Sequence, residues 1–184
     1  MNVREVRALL STALSYEGFE ERRLVPTKPN VWALPADEVV RFFQPHVIRR
    51  PWGFTCSGVI GLEIPELRQW LRTYKSTEEN HIFRSCFAVY HIANHDDREL
   101  FAVEHDKGVP ADLWAGLIKD RLERIPERLS CLIDTYRRNR EELGGLAHPM
   151  TRHAWNYLLA WCNDPDPRRP IPSGLPDGSI VNGS

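Results

Sequence analysis

The chain has 184 residues, of which 42% are hydrophobic and 27% charged, and its 24 Lys and Arg residues are balanced by 25 Asp and Glu residues. This length fits one domain with a single core, and the charge balance excludes the overall basic surface of a typical nucleic-acid-binding protein. No apolar run approaches the roughly 20 residues that span a bilayer, so a membrane is not expected as a partner. The four cysteines form no CxxC pair, and the N-terminus lacks a secretory pattern. We therefore expect reduced thiols and a cytoplasmic location.

The first third of the chain predicts a helix followed by two short strands. In "NVREVRALLSTALSYEGF" apolar residues recur at helical spacing, and Gly18 is typical of a helix end. That apolar stripe consists of Val3, Val6, Leu10, Ala13 and Leu14. "FEERRLV" and "VWAL" then predict short strands separated by a turn that contains two prolines.

Two longer strands and a helix are predicted next. "VVRFFQPHVI" is strongly β-prone, but Pro45 lacks the N–H that a central strand needs, so we expect an edge strand or a bulge. "GFTCSGVIGL" alternates as a half-buried antiparallel strand does, with Phe54, Cys56, Ile60 and Leu62 on one face. "IPELRQWLRTYK" predicts a helix that begins at Pro65.

The remaining chain adds a strand and a helical block. "HIFRSCFAVYHI" is apolar on both faces, which predicts an interior strand, and "LFAVEH" is either its partner strand or a first helical turn. Residues 109–143 have a helical pattern broken at Pro126, and a further helix is predicted to begin near Thr151. One helical stripe consists of Leu113, Trp114, Leu117, Ile118 and Leu122.

Together these elements predict an α+β fold. It consists of an antiparallel β-sheet with an N-terminal helix, one inserted helix and a C-terminal helical block. We expect residues 1–163 to form a single domain, with 1–108 mainly sheet plus helices and 109–163 helical. Residues 164–184 are rich in proline and glycine and are expected to form a flexible tail.

The stretch "VYHIANHDDREL" is dense in groups that could bind a metal or transfer protons. One interpretation is a strand that runs into a polar turn, because four extended residues would separate His91 and His95 by about 13 Å. The alternative is a metal-dependent hydrolase or nuclease that uses His91, His95, Asp97 and His105. That alternative requires "LFAVEH" to form a hairpin with the preceding strand. Both interpretations remain open at this point.

Two groups of arginines are candidates for binding sites. In "RRPWGF", Arg49 and Arg50 adjoin Trp52, and arginine and tryptophan are enriched in the hot spots of protein interfaces. A buried Trp52 is the competing interpretation. Arg137, Arg138, Arg140 and Arg152 could bind an anion, although arginines at a helix C-terminus also stabilise its dipole.

Catalytic and cofactor motifs are missing from the sequence. There is no G-x-S-x-G elbow, no Walker A and no G-x-G-x-x-G. No cofactor is therefore expected, and a non-enzymatic protein is favoured over an enzyme.

The first 75 residues resemble small uncharacterised bacterial α+β domains. The matching features are a helix that ends in "YEGFEERR" and strands that carry a mid-strand glutamine, with Gly18, Phe19 and Gln44 at the matching positions. Some of these domains are encoded near polymorphic toxins, so the resemblance implies an immunity role and transfers no functional residue.

We therefore expect a bacterial cytoplasmic protein that binds another protein, as an immunity or defence-associated factor. Arg49, Arg50 and Trp52 are its predicted contact residues. Nucleic acid is a disfavoured partner, and the sequence does not determine the oligomeric state.

Overall fold

The computed structural model describes residues 1–23, 30–71, 86–91 and 96–138. Its elements are helix α1 (Val3–Tyr16), strands β1 (Glu20–Arg22), β2 (Val31–Leu34), β3 (Val40–Arg50) and β4 (Gly53–Glu63), helix α2 (Pro65–Leu71), strand β5 (Cys86–His91), a 3-10 turn (Asp96–Phe101), strand β6 (Ala102–Glu104), and helices α3 (Ala111–Glu123) and α4 (Leu129–Arg138). The α+β class is confirmed. The predicted helix after Thr151, the boundary at 163 and the tail at 164–184 lie outside the described residues.

Helix α1 begins at a capping box. The Asn2 side chain accepts hydrogen bonds from the backbone N–H groups of Arg4 and Glu5, and the Glu5 carboxylate accepts one from the Asn2 N–H at 2.8 Å. The predicted stripe is confirmed, since Val6, Leu10, Ala13 and Leu14 are buried. Gly18 has a φ of +88° just beyond the helix end, as expected of a C-terminal cap.

The six strands form one antiparallel sheet. Strands β1 to β5 are neighbours in chain order, and β6 pairs with β4. Strand β5 ends this order within the described part of the chain, whereas its two apolar faces predicted an interior position. Strand β5 lies opposite residues 59–63 of β4 and β6 lies opposite residues 53–55, so the two share one flank of β4.

Strands β3 and β4 form the central hairpin. Their eleven paired positions run without a register shift to Arg50 and Gly53, which leaves Pro51 and Trp52 as a two-residue turn. Strand β2 pairs only with residues 41–43 of β3. Pro45 therefore lies beyond the end of β2, where no described strand flanks β3. Because β3 lies between β2 and β4 and pairs with β4 without a register shift, the prediction of an edge strand or a bulge is wrong for the strand as a whole.

Gly58 lies opposite Pro45 and permits the close approach of the two strands. Its φ is +155°, and a Cβ there would lie 2.3 Å from the Gln44 carbonyl oxygen and 2.6 Å from Cε2 of Phe43. A larger residue at this position would displace backbone atoms. The close approach therefore depends on glycine.

The main core lies between one face of the sheet and helices α1 and α3. The predicted inward face of β4 is confirmed, since Phe54, Cys56, Ile60 and Leu62 are fully buried. Trp114 of α3 is also buried and its indole N–H donates to the Leu100 carbonyl at 2.9 Å. Leu113 and Trp114 were both predicted on one stripe of this helix, but only Trp114 is buried, whereas Leu113 is 55% exposed.

Arg41 joins β3 to the C-terminal end of α3. Its guanidinium donates to the carbonyl oxygens of Leu122 and Ile125 and to the Glu127 carboxylate. The Arg41 side chain is 5% exposed, so its charge complements helix carbonyls in a buried setting. No helix of the described residues is long and apolar enough to cross a membrane.

Candidate partner-binding site

The turn between β3 and β4 presents cationic and aromatic side chains to solvent. Arg49, Arg50, Pro51 and Trp52 are all exposed, and we call them the hairpin tip. Trp52 is 51% exposed. The expectation that Arg49, Arg50 and Trp52 are exposed together is met, and the competing interpretation of Trp52 as a core residue is wrong.

His105, the residue that follows β6, holds the backbone of the hairpin tip in place. Its backbone N–H donates to the Trp52 carbonyl at 3.1 Å, and its Nε2 lies 3.1 Å from the Arg50 carbonyl oxygen. The imidazole packs edge-on against Phe54, with the ring centroids 5.0 Å apart. Two hydrogen bonds and a ring contact therefore tie the turn to the residue that follows β6.

Gly53 allows β6 to approach the base of the tip. A Cβ on Gly53 would lie 1.9 Å from the Val103 carbonyl oxygen, so no larger residue fits against β6 at this position. Strand β6 in turn pairs with residues 53–55 of β4. The hairpin tip is thus a short, well-supported projection from the sheet.

Among the described residues, no ion pair neutralises the positive charge of the hairpin tip. Arg49 and Arg50 have no ion-pair partner within the described ranges. The nearby Glu104 carboxylate bonds to Lys107 at 3.0 Å, and this hydrogen bond raises the pKa of Lys107. Glu104 is therefore engaged with Lys107.

Of the histidines proposed as metal ligands, His91 and His105 lie at strand positions that are far apart. The required hairpin between "LFAVEH" and β5 is not formed, because β6 pairs with β4. His91 lies opposite Val59 and Glu104 lies opposite Gly53, and six residues of strand separate those positions by roughly 20 Å.

The hydrogen bond of His105 to Arg50 leaves only its Nδ1 able to bind a metal ion. A carbonyl oxygen only accepts, so the Nε2 that faces Arg50 carries the proton. Among the described residues no group of three His, Cys, Asp or Glu side chains could bind a metal ion. His95 lies outside the described residues, and only the backbone is described for His91 and Asp97.

The predicted anion site cannot be assembled from the described residues. Arg137 and Arg138 are the last residues of α4, where only the backbone is described. Arg140 and Arg152 lie outside the described residues. That site therefore stays a prediction.

A cleft that sequence reasoning missed lies between α1 and the sheet. Its volume is about 630 Å³, and its floor includes Trp32, Pro45 and Gly58. The polar residues around it are Arg7, Ser11, Glu21, Asn30, Gln44 and His46. Pro45 and Gly58 leave the space because neither projects a long side chain. A proline and a glycine are unusual within β-prone segments, and their presence was the sequence signal for this cleft.

No family model, curated protein or solved structure matches the chain. The resemblance of the first 75 residues to bacterial α+β domains accordingly stays a prediction.

Proposed function

We propose that the protein functions by binding another protein, with the hairpin tip as its principal contact. The observation that carries this proposal is the 51% exposure of Trp52 beside two exposed arginines. Tryptophan and arginine dominate interface hot spots because they bury a large area and offer directional hydrogen bonds. A protein of this kind needs no cofactor and no catalytic group.

Because His105 supports the turn, a binding role for the exposed Trp52 is favoured over exposure without a function. A loop that is ordered before binding loses less conformational entropy in a complex. The two hydrogen bonds from His105 and the pairing of Gly53 with Glu104 order this turn in the free protein. Exposed Leu9 and Leu113, in contrast, lie singly on helices, as surface apolar residues commonly do.

A photo-crosslinking experiment tests the proposal in the full chain. Trp52 is replaced by p-benzoylphenylalanine, and the matched control carries the same substitution at Tyr16, an aromatic residue of α1 that is 89% exposed. We expect a light-dependent adduct of defined mass from position 52 in cell extract and none from position 16. Equal adducts from both positions, or none from position 52, would contradict the proposal.

Affinity measurements with the purified partner make the test quantitative. Trp52→Ala should raise Kd at least tenfold, which corresponds to about 1.4 kcal/mol. Tyr16→Ala should leave Kd within about twofold, since α1 is not part of the proposed contact. Circular dichroism would confirm that both variants are folded.

A more specific form of the proposal is that the partner is a toxin and the protein is a bacterial cytoplasmic immunity or defence factor. The resemblance at Gly18, Phe19 and Gln44 supports this form. The free thiols of Cys56 and Cys131 are compatible with a reducing compartment. If the crosslinked partner is a toxin, co-expression should restore growth, and Trp52→Ala should abolish that protection. A partner without toxicity would exclude the immunity role while leaving the binding function intact.

A further inference from the structure

The cleft between α1 and the sheet has the size of a site for a small molecule. Its volume of about 630 Å³ lies within the range of roughly 300–1,000 Å³ that such sites occupy. No residue of the hairpin tip lines it. The lining residues that carry the argument are Arg7, Leu10 and Ser11 on α1, and Glu21, Asn30, Trp32, Pro45 and Gly58 on or beside the strands.

The register of the sheet shows which of its side chains project toward α1. Trp32 is paired with both Glu21 and Phe43, and paired residues of neighbouring strands project from the same face. Trp32 and Phe43 pack in the main core, which α1 covers, so Glu21 projects to the side of α1 as well. Pro45 is two residues beyond Phe43 and shares this face with its partner Gly58.

The floor of the cleft is apolar. Leu10 and Trp32 belong to the main core, and Pro45 and Gly58 add no polar side-chain atom. Proline and glycine both weaken a strand, yet here they are paired with each other at the place where a small side chain leaves space. A ligand that fills this cleft therefore needs an apolar body.

Hydrogen-bond donors outnumber free acceptors around the cleft. The Arg7 guanidinium carries five N–H donors and no acceptor, and no hydrogen bond or ion pair joins it to another described residue. Ser11 lies four residues further along α1, so its hydroxyl is a neighbour of Arg7 on the helix surface. The Glu21 carboxylate already accepts from the Asn30 amide at 2.6 Å, and the Asn30 amide oxygen accepts from Arg23 at 3.2 Å. The chemical complement of this lining is an anionic group.

We propose that the cleft binds a small organic anion, with a carboxylate or phosphate group at Arg7 and Ser11 and an apolar body against Trp32 and Pro45. The planar guanidinium presents paired N–H donors that match either oxyanion. The apolar floor contributes affinity through the area that it removes from water. This binding function is separate from the contact made by the hairpin tip and does not depend on it.

Aromatic compounds of matched shape test the chemistry of the ligand. The probe is 2-naphthoate, and the comparison compounds are 2-naphthamide, which has no charge, and acetate, which has no ring. Amide and indole N–H signals of the isotope-labelled full chain report binding residue by residue. We expect 2-naphthoate at about 1 mM to shift the signals of Ser11 and Trp32, and both comparison compounds to shift them at least about fivefold less.

Each compound gives a result that decides the proposal. Equal shifts with 2-naphthamide would exclude selection of an anion, and equal shifts with acetate would exclude a site for an apolar body. If 2-naphthoate at about 5 mM leaves Ser11 and Trp32 unshifted, the proposal is overturned. 2-Naphthyl phosphate distinguishes the two oxyanions within the proposal, since tighter binding than that of 2-naphthoate assigns a phosphate ester and weaker binding assigns a carboxylate.

Removal of one charge tests the role of Arg7. Arg7→Gln should weaken the binding of 2-naphthoate at least about fivefold and leave the smaller effect of 2-naphthamide unchanged. Arg124→Gln is the matched control, because Arg124 is an exposed arginine at the end of α3 that does not line the cleft. Equal losses in the two variants would show attraction by the overall charge of the protein and would contradict a site at Arg7.

Two further variants locate the probe. Ser11→Phe places a ring in the cleft and should abolish the shift at Trp32, with circular dichroism confirming the fold; retained binding would overturn the proposal. If this variant does not fold, Arg7→Gln decides the question alone. Trp52→Ala should bind 2-naphthoate as the wild-type protein does, and loss of binding there would assign the probe to the hairpin tip and overturn the proposal.

Discussion

Nε2 of His105 lies 3.1 Å from the carbonyl oxygen of Arg50, across the base of the β3–β4 turn. The two residues are far apart in sequence, and the contact exists because β6 pairs with the start of β4. The same histidine contacts Phe54 through its ring. His105 therefore acts as a support for the exposed turn.

Replacing His105 should loosen the hairpin tip and lower stability. His105→Phe retains a ring against Phe54 but loses the side-chain hydrogen bond, so we expect a loss of about 1 kcal/mol in the free energy of unfolding. His105→Ala loses both interactions and should cost about 2 kcal/mol. Urea unfolding measures the cost, and backbone relaxation at Trp52 measures the mobility. Unchanged stability and unchanged relaxation in both variants would show that the contact does not support the turn.

Alanine substitutions should distinguish glycines that lie too close to another strand to carry a Cβ from a glycine with open space beside it. Gly53→Ala places a Cβ 1.9 Å from the Val103 carbonyl oxygen, and Gly58→Ala places one 2.3 Å from that of Gln44. Each should destabilise the fold by about 2 kcal/mol or more, because backbone must shift. Gly116→Ala is the control, since nothing lies within 4 Å of its Cβ in α3. There the helix propensity of alanine should stabilise by up to about 1 kcal/mol. Similar effects at all three positions would contradict this account.

Arg41 should contribute more to stability than its carboxylate partner. Arg41→Ala leaves the carbonyls of Leu122 and Ile125 without their charged donor in a buried setting, and we expect a cost of about 1–3 kcal/mol. Glu127 is 64% exposed, so Glu127→Gln should cost less than about 1 kcal/mol. Chemical unfolding of both variants compares the two effects. A larger loss from Glu127→Gln would mean that the ion pair outweighs the contact with the helix carbonyls.

Local periodicity predicted most of the described elements. The alternation of Phe54, Cys56, Ile60 and Leu62 identifies the buried face of β4, because side chains in any strand alternate. The helical stripe of α1 was predicted for the equivalent reason. Leu113 shows the limit of this method, because an apolar stripe on a helix does not reveal which residues at its edges are covered by neighbouring elements.

Long-range pairing and exposure could not be predicted in the same way. The local pattern of "LFAVEH" is compatible with pairing to β4 or to β5, and only the tertiary structure shows that β6 pairs with β4. Whether Trp52 is buried depends on what packs over the turn, which is a tertiary property. Arg41 within an apolar strand was a usable signal of a buried cation, but its partners on α3 could not be identified from the sequence.

The buried thiol of Cys56 should make stability depend on pH in the alkaline range. Burial raises the pKa of Cys56 from 9.0 to about 12. Between these values the unfolded chain loses the thiol proton while the folded protein retains it, so the folded state binds more protons and stability falls as pH rises. This contribution is fully present below about pH 9 and is lost as pH approaches 12, with a slope of up to about 1.4 kcal/mol per pH unit.

Urea unfolding of wild-type protein and two variants between pH 8 and 11 measures this effect. Cys56→Ala should lower stability at pH 8 but flatten the alkaline decline, whereas Cys131→Ala, at an exposed cysteine, should leave the slope unchanged. In the native protein a thiol reagent should modify Cys131 and spare Cys56, as judged by peptide mass mapping. Rapid modification of Cys56 at pH 8, or an alkaline slope unaffected by Cys56→Ala, would show that this thiol is not buried as the structure places it.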